Sequence, residues 1–321
     1  MSGVALVLDL VVQAAQMALV LALAPLLTGV VRWVKARLQR RRGASPLQPY
    51  RDLLRLVRKE TVLAENASWL FRAAPYMVFA AIWVAASLVP TFAAGLIFNW
   101  TADLIAIVAL LGSARFFLAL AGMDVGTSFG GIGASREMMI ATLAEPAMLM
   151  IVFSVSLLAH STQLSTVVGV LQGPDIGLRV TLGMALVALV IVAIAENGRI
   201  PVDNPATHLE LTMVHEAMVL EYSGRHLALI EAASALKLLL YVSLLAAVFL
   251  PFGVAGPATG PAGYAAALGL YLGKLLLGGV LLAGFETGIA KMRVFRVPEF
   301  LGVALMLGLL GLMLLFVSRS L

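Results

Sequence analysis

Ionisable side chains that interrupt the apolar stretches of this sequence are its candidates for chemistry. Arg115, Glu145, Lys237, Lys274 and Glu286 each fall within or at the end of a long apolar run. A charged group that faces lipid is costly, so these groups are expected to face the interior of a helix bundle, to pair with one another or to line water. Carboxylates and basic groups at several depths are what a proton relay needs, because burial and neighbouring charges can shift their proton affinity.

A second concentration of charge lies in the stretch Ala195–Glu231, which holds five Glu, one Asp, three His and two Arg between two apolar runs. The predicted ion path draws on both groups and adds Glu137, eight residues before Glu145. Its residues are Glu137, Glu145, Glu196, Glu210, Glu221, Glu231, Arg115, Lys237, Lys274 and Glu286. Buried ion pairs that lock helices together are an alternative, as is a substrate site. The number of acids favours a path over a lock.

Other chemistries find little support. The chain has no cysteine, which excludes disulfides, iron-sulfur ligation by this chain and thiol catalysis. His208 and His215 are seven residues apart and would share one face of a helix, but a third metal ligand is not apparent and HEAMV lacks the second His of HExxH. The glycines of GMDVGTSFGGIGASRE lack the spacing of a phosphate loop, so close backbone packing or a hinge is expected there.

The elements that position these residues are membrane helices. With 61% hydrophobic and 12% charged residues, the chain lies outside the range of soluble domains. Only helices or closed barrels satisfy the backbone in lipid, and the apolar runs are too long for barrel strands. The sequence predicts an all-α integral membrane protein, a single polytopic domain over 1–321. The eight predicted spans are Leu10–Trp33, Leu70–Pro90, Ala102–Gly122, Ile140–His160, Leu178–Ala195, Leu227–Phe252, Ala265–Phe285 and Phe300–Val317.

The basic residues indicate topology. Lys and Arg concentrate in loops near 34–69, 123–137, 196–226 and 287–298, whereas the opposite loops at 91–101, 161–177 and 253–264 contain none. By the positive-inside rule the basic loops are cytoplasmic, and both termini lie on the periplasmic side of a bacterial inner membrane. The net charge of +5 follows the membrane side rather than an aromatic-interleaved groove, which argues against nucleic acid.

The first basic loop carries an additional signal. Leu47, Leu53, Leu54, Leu56 and Val57 recur at near-helical spacing, and arginines stand between them. This pattern predicts an amphipathic helix on the membrane surface. It can serve as an interfacial anchor or as a docking surface for a soluble partner.

Three motifs resemble those of the respiratory complex I subunit 1 family. The segment AENGRIPVD with the later EYSG resembles its AExNRxPFD and EYxG signature, PLQPYRDLLRLVRKE resembles its QPxxDxxKLxxKE stretch, and GASRE resembles its GAxRxxxQxxxxE loop. RIPVDNPATHLELTMVHEAMVLEYSG and AKMRVFRVPEFLG are closer still to the formate hydrogenlyase subunit 4 branch, the membrane subunit of group 4 nickel-iron hydrogenases.

The resemblance implies a non-catalytic subunit that holds a cytoplasmic redox arm and starts the ion path. Its implied partners are hydrogenase-like large and small subunits, a ferredoxin-like iron-sulfur subunit, antiporter-like membrane subunits and membrane lipid. This chain would hold no cofactor; iron-sulfur clusters and, where the nickel ligands persist, a nickel-iron centre would belong to the partners. The residues expected to face the redox arm are Arg51, Asp52, Arg136, Arg199, Asp203, His208, His215, Arg293 and Arg296.

Two further functions are alternatives. A quinone-reducing enzyme of the complex I type would need a chamber between the first basic loop, the 195–231 loop and a partner. Ala206 and His208 stand where quinone-reducing members carry Glu, which favours a protein partner at this loop. A stand-alone ion transporter would be expected to show inverted repeats, and none is apparent.

Overall fold

A computed structural model describes residues 3–95, 101–173, 180–203, 213–256 and 259–320. Over these ranges the protein is built from helices. Isolated backbone bridges join Ala93 to Ala255 and Asp103 to Gln163. The helices are α1 Gly3–Leu38, α2 Gln48–Arg58, α3 Trp69–Leu88, α4 Leu104–Asp124, α5 Ser128–Ala159, α6 Leu164–Leu171, α7 Val180–Glu196, α8 His215–Val219, α9 Gly224–Phe249, α10 Pro261–Gly288 and α11 Val297–Ser320.

Most of these helices are long and apolar enough to cross a membrane. Within the described ranges, seven meet both criteria: α1, α3, α4, α5, α9, α10 and α11. The fifth predicted span corresponds to α7, an apolar helix of 17 residues. At 1.5 Å per residue it is about 26 Å long, close to the ~30 Å hydrocarbon core. The predicted all-α membrane fold is confirmed.

One boundary differs clearly from the prediction. The fourth span was expected from Ile140 with a loop before it, whereas α5 begins at Ser128 and includes the glycine-rich segment. Thr127 caps this start, because its hydroxyl accepts a hydrogen bond from Gly130 N at 3.3 Å. A Cβ atom at Gly133 would lie 2.9 Å from the Val214 carbonyl oxygen. The expected close backbone packing is therefore present, inside a helix rather than a loop.

The core is centred on α9, which carries fully buried leucines at Leu236, Leu239, Leu240 and Leu244. Helices α10 and α11 lie at the edge and leave apolar side chains exposed, as the surface of a membrane bundle does. This arrangement places the charged residues of α4, α5, α7 and α9 against one another.

The predicted amphipathic helix is α2, and contacts hold it at both ends. At its start, the Pro46 backbone packs so closely on Gly29 of α1 that a Cβ there would clash. After its end, Ser223 Oγ donates to the Val62 carbonyl and accepts from Val62 N, both at 2.8 Å. The surface helix is thus fixed against the bundle.

The segment that leads into α9 is anchored by Tyr222 of the EYSG motif. Its ring stacks on Phe71 with 4.0 Å between ring centroids, and its hydroxyl donates to the Phe71 carbonyl at 2.9 Å. Burial raises the pKa of the Tyr222 phenol, and the Asp124 carboxylate adds to this effect. Tyr222 therefore stays neutral and acts as a packing and hydrogen-bonding group.

Candidate functional site

Arg115 in the middle of α4 contacts three carboxylates. Its Nε lies 3.2 Å from Glu137 Oε1, its Nη1 lies 3.3 Å from Glu145 Oε1, and its Nη2 contacts Glu196 Oε1. The Arg115 side chain is only 3% exposed. A buried guanidinium needs such partners, since its five donors cannot be satisfied by apolar neighbours.

Lys237 of α9 completes the group, which we call the Arg115 cluster: Arg115, Glu137, Glu145, Glu196 and Lys237. The Lys237 ammonium lies 2.9 Å from Glu196 Oε2. With every group ionised, three negative and two positive charges leave one net negative charge. Binding of one proton would make the cluster neutral.

The local sequence explains how four helices contribute. Glu137 and Glu145 are eight residues apart on α5, which is about 12 Å along the axis and on roughly the same side of the helix. The long side chain of Arg115 reaches both. Glu196 is the last residue of α7, so its carboxylate enters the bundle from the carboxyl end of that helix.

Exposure varies strongly across the three acids of the Arg115 cluster. The side chain of Glu196 is 4% exposed and that of Glu137 is 12% exposed, whereas that of Glu145 is 46% exposed. Glu145 therefore faces the outer surface of this chain at a depth where the neighbouring helices are apolar.

A void of about 40 Å³ adjoins the Arg115 cluster and is lined by Arg115, Glu137, Glu196 and Lys237. This volume accommodates a water molecule, and the site is polar enough to bind one. Arg115 Nε and Glu196 Oε2 lie near opposite charges without aligned hydrogen bonds, so both retain hydrogen-bonding capacity beside the void.

A cavity of about 700 Å³ lies between the carboxyl end of α1, helix α2 and the described residues 197–203 and 213–214, which we call the segment after α7. Asn197, His215 and Ser234 line both this cavity and the void beside the Arg115 cluster. Three polar residues thus form the wall between the two spaces. Besides His215, the ionisable residues that line the cavity are Arg32, Lys35, Arg41, Arg42, Arg199, Asp52, Asp203, Glu216, Glu231 and Glu286.

Glu286 at the end of α10 forms a second ionic group with Lys35 and Arg199, which we call the Glu286 clamp. Lys35 Nζ lies 2.9 Å from Glu286 Oε2, and Arg199 Nη1 lies 3.4 Å from Glu286 Oε1. Burial lowers the pKa of Arg199, while the charge of Glu286 opposes that shift. The clamp joins α1, α10 and the turn after α7 across one wall of the cavity.

The segment after α7 is held by three further contacts. Asp203 accepts from Lys291 Nζ at 3.1 Å and from Val214 N at 3.2 Å. Arg136 donates to the Met213 carbonyl at 2.9 Å. Lys291 and Arg136 therefore hold the two described parts of this segment, at Asp203 and at Met213.

Other residues of the predicted ion path lie elsewhere. Lys274 donates to the Leu250 carbonyl at 2.6 Å, and its ammonium lies 4.4 Å from the Phe252 ring centroid, so it caps the end of α9. Glu221 is exposed in the turn before α9, and Glu231 lines the cavity. Glu210 lies outside the described residues.

The residues predicted to face the redox arm fall into three places. The first place is the segment after α7, which contains Arg199 and Asp203 and has Arg136 and His215 beside it. Arg293 and Arg296 are exposed in the short turn before α11. Asp52 lines the cavity and pairs with Arg55 at 3.1 Å, while Arg51 is exposed on α2. His208 lies outside the described residues.

Sequence reasoning missed several members of these groups. Lys35 and Lys291 counted only as topology signals, yet each pairs with a buried carboxylate. Their position at the end of an apolar run, level with Glu286 or Asp203, is the signal that could have identified them. Asn197 and Ser234 carry no charge and stand out in no motif.

Within the ranges that the structure describes, His, Asp and Glu side chains do not converge in groups of three or more that could hold a metal ion. The carboxylates of the Arg115 cluster face cations rather than one another. What the arrangement can do chemically is bind and release protons and rearrange ion pairs.

Comparisons with known proteins identify the family. The NADH dehydrogenase family model matches residues 11–317. The chain is 33% identical to formate hydrogenlyase subunit 4 of Escherichia coli K12, over 87% of this chain and 89% of that protein. It is 36% identical to hydrogenase-4 component C of the same organism, over 74% and 75%.

More distant relatives share the fold. An NADH-quinone oxidoreductase subunit of Burkholderia vietnamiensis is 28% identical over 69% of this chain and 65% of that protein. A chain of an archaeal respiratory membrane complex, the membrane-bound sulfane sulfur reductase, superposes with a TM-score of 0.79 at 17% identity, covering 95% of this chain and 99% of that one. The protein therefore belongs to the NADH dehydrogenase family of complex I subunit 1 proteins, in the branch of formate hydrogenlyase subunit 4 and hydrogenase-4 component C.

Proposed function

We propose that this chain anchors the cytoplasmic redox arm of an energy-converting hydrogenase of the formate hydrogenlyase type and starts the path that couples electron transfer to ion translocation. The chain performs no redox chemistry itself. It converts a change at its cytoplasmic face into a proton shift in the Arg115 cluster.

The single observation that supports this proposal best is that the void beside the cluster and the cavity share one polar wall. Asn197, His215 and Ser234 separate a charged cavity on the predicted cytoplasmic side from a void that touches Glu196 and Lys237. Polar groups within reach of one or two waters can pass protons. A purely structural lock would need the ion pairs but would not need this connection.

The Glu286 clamp and the segment after α7 are the proposed coupling element. A partner that changes the position of Arg199 or Asp203 changes contacts made by Lys35 and Lys291. Such a shift alters the field at Glu196, which precedes that segment directly. In this way a change in the redox arm biases the protonation of the cluster.

The docking surface for the hydrogenase-like and ferredoxin-like subunits is the cytoplasmic face around the segment after α7. Arg293 and Arg296 are exposed beside it and can meet acidic surfaces of a partner. The iron-sulfur clusters, and a nickel-iron centre where its ligands persist, belong to those subunits. The chain sits in the bacterial inner membrane with both termini on the periplasmic side.

Glu145 marks the proposed exit toward an antiporter-like membrane subunit. Its side chain is 46% exposed although it pairs with the buried Arg115. A carboxylate at membrane depth is costly in lipid, so a polar surface of another membrane protein is its expected cover. The proposed proton path therefore runs from Glu196 to Glu145 alongside Arg115, which stays protonated and holds both carboxylates, and it leaves the chain at Glu145.

The test compares hydrogen-linked turnover with ion movement in membrane vesicles that contain the assembled complex. Glu196→Gln should leave the soluble subunits bound and turnover measurable, while ion movement per turnover falls to background. Glu65→Gln, which removes an exposed carboxylate from the first loop, is the matched control. Unchanged ion movement in the assembled Glu196→Gln complex would mean that the cluster has a structural role only.

The cavity supports a second candidate function, quinone binding as in complex I-type enzymes. Its volume of about 700 Å³ is within the ~300–1,000 Å³ typical of small-molecule sites, and apolar residues such as Val31, Leu53 and Leu56 line part of it. Quinone-dependent turnover of the purified complex would support this function. Turnover that is unaffected by added or extracted quinone would favour the hydrogenase-type coupling described above.

A further inference from the structure

Helix α2 has an inner face toward the bundle and the cavity, and an outer face that is exposed. One side packs on the bundle through buried Pro49 and through Leu53 and Leu56, which line the cavity. The next side leaves Leu54 and Val57 each 58% exposed. Leu47 just before the helix extends this apolar stripe and is 52% exposed.

Arginines flank this stripe directly. Arg51 precedes Leu54 by three residues and Arg58 follows it by four, so both are its neighbours on the helix surface. Arg55 pairs with Asp52, whereas Arg51 and Arg58 have no ion-pair partner among the described residues. Two guanidinium groups thus flank an exposed leucine, beside a surface depression bordered by Arg51, Leu54, Arg55, Arg58 and Lys59.

The depth of α2 follows from its contacts with α1. The Pro46 backbone packs on Gly29, and the Tyr50 hydroxyl contacts the Ala22 carbonyl. Ala22 lies eleven residues, or about 16 Å, before Trp33 along α1. Trp33 is 36% exposed and stacks with Arg37 at 5.2 Å, which is typical of the membrane interface. The start of α2 is therefore level with the apolar part of α1 rather than above it.

We propose that the outer face of α2 binds an anionic phospholipid, with the headgroup phosphate between Arg51 and Arg58 and an acyl chain over Leu54 and Val57. Guanidinium groups match phosphate geometry and form charge-assisted hydrogen bonds with it. The exposed leucines need an apolar cover, which the acyl chain supplies. Lipid is the expected cover at this level of α1, so the proposal assigns Arg51 to lipid rather than to the redox arm.

This inference is independent of the proposed coupling function, and native mass spectrometry of the full chain tests it. Binding of phosphatidylglycerol and of phosphatidylcholine is titrated separately in detergent micelles. The wild-type chain should prefer phosphatidylglycerol. Each arginine near anionic lipid contributes about fivefold in affinity, so Arg51→Gln/Arg58→Gln should weaken the first phosphatidylglycerol site by roughly 30-fold.

Two comparison variants make the result specific. Arg293→Gln/Arg296→Gln removes the same charge from another exposed site and should leave phosphatidylglycerol binding unchanged. Arg51→Lys/Arg58→Lys keeps the charge and should retain part of the affinity, which separates charge loss from misfolding. Unchanged phosphatidylglycerol affinity in the Gln double variant, or equal affinity for both lipids in the wild type, would overturn the proposal.

A second measurement locates the face. Because the chain has no cysteine, Leu54→Cys and Phe295→Cys each provide a single site for a spin label. In phosphatidylcholine vesicles with phosphatidylglycerol, the label at 54 should be relaxed more by oxygen than by a water-soluble nickel chelate. The label at 295, where Phe295 is 92% exposed in a loop, should show the reverse. A water-exposed label at 54, or one shielded only when soluble subunits bind, would contradict the lipid assignment.

Discussion

Lys237 Nζ lies 2.9 Å from one oxygen of Glu196, whose other oxygen contacts Arg115. One carboxylate is thus held between two cations from different helices, α4 and α9. The guanidinium of Arg115 is tied to two further acids, whereas the ammonium of Lys237 sits on a flexible four-carbon stem. We therefore expect Lys237, rather than Arg115, to be the cation that can move away from Glu196 and return.

Replacing Lys237 should uncouple the complex. In Lys237→Gln, Glu196 keeps Arg115 but loses the cation that can move, so ion movement per turnover should fall while hydrogen-linked turnover persists. Lys274→Gln is the matched control, because Lys274 is also a membrane lysine but caps the end of α9. Turnover and dye-reported ion movement are measured in the same vesicles. Equal losses in both variants would assign Lys237 a structural role only.

Arg115 should be the stability centre of the cluster. Arg115→Gln leaves three carboxylates without their shared cation, and breaking a buried pair of this kind costs about 3–5 kcal/mol. The thermal unfolding midpoint of the purified chain, followed by the fluorescence of its four Trp residues, should drop markedly. Arg225→Gln removes an exposed arginine and should leave the midpoint unchanged.

A double variant tests whether Arg115 and an acid of the cluster stabilise the fold together. Glu137→Gln together with Arg115→Gln should recover part of the lost stability, because Glu137 pairs with Arg115 in the cluster and its carboxylate is removed along with that cation. Additive losses in the double variant would mean that the two residues do not interact energetically.

Glu145 should matter for coupling more than for folding. Glu145→Gln leaves Arg115 in contact with Glu137 and Glu196, so the chain should unfold at nearly the wild-type temperature. Ion movement should fall, since the exposed carboxylate is the proposed exit toward the membrane partner. Glu299→Gln, which changes an exposed acid at the start of α11, is the control. A large loss of thermal stability with intact ion movement would reverse this assignment.

The Glu286 clamp should hold the first loop against the segment after α7. Glu286→Gln removes the shared partner of Lys35 and Arg199, so the loop between α1 and α3 should be cleaved faster by added protease. Lys35→Gln should have a similar effect, whereas Arg37→Gln should not, because Arg37 stacks on Trp33 at the same helix end. Indifference of the cleavage rate to Glu286→Gln would show that other contacts hold the loop.

The sequence determines some of these features and leaves others open for physical reasons. The membrane helices follow from composition, since lipid leaves the backbone no alternative to helix over such apolar runs. Lys237 and Lys274 look equivalent in sequence, yet one reaches Glu196 and the other caps α9. The rotation and depth of each helix decide this difference, and composition does not specify them. The ring of acids around Arg115 was expected as a group, but its pairing with Glu196 joins distant parts of the chain that no local pattern connects.

The glycines at the start of α5 allow a test of packing with a built-in control. Gly131 and Gly133 are two residues apart in the same helix, so replacement by Ala has the same intrinsic helix-stabilising effect, up to about 1 kcal/mol. At Gly131 an added Cβ meets nothing within 4 Å, whereas at Gly133 it would lie 2.9 Å from both the Ala217 Cβ and the Val214 carbonyl oxygen. Gly131→Ala should therefore raise the thermal unfolding midpoint slightly. Gly133→Ala should lower it, because overpacking costs about 1–3 kcal/mol and displaces α8 from α5.

The same displacement moves His215 at the start of α8, so Gly133→Ala should also reduce ion movement per turnover. Equal midpoints for the two variants would mean that α8 does not pack on Gly133 as described.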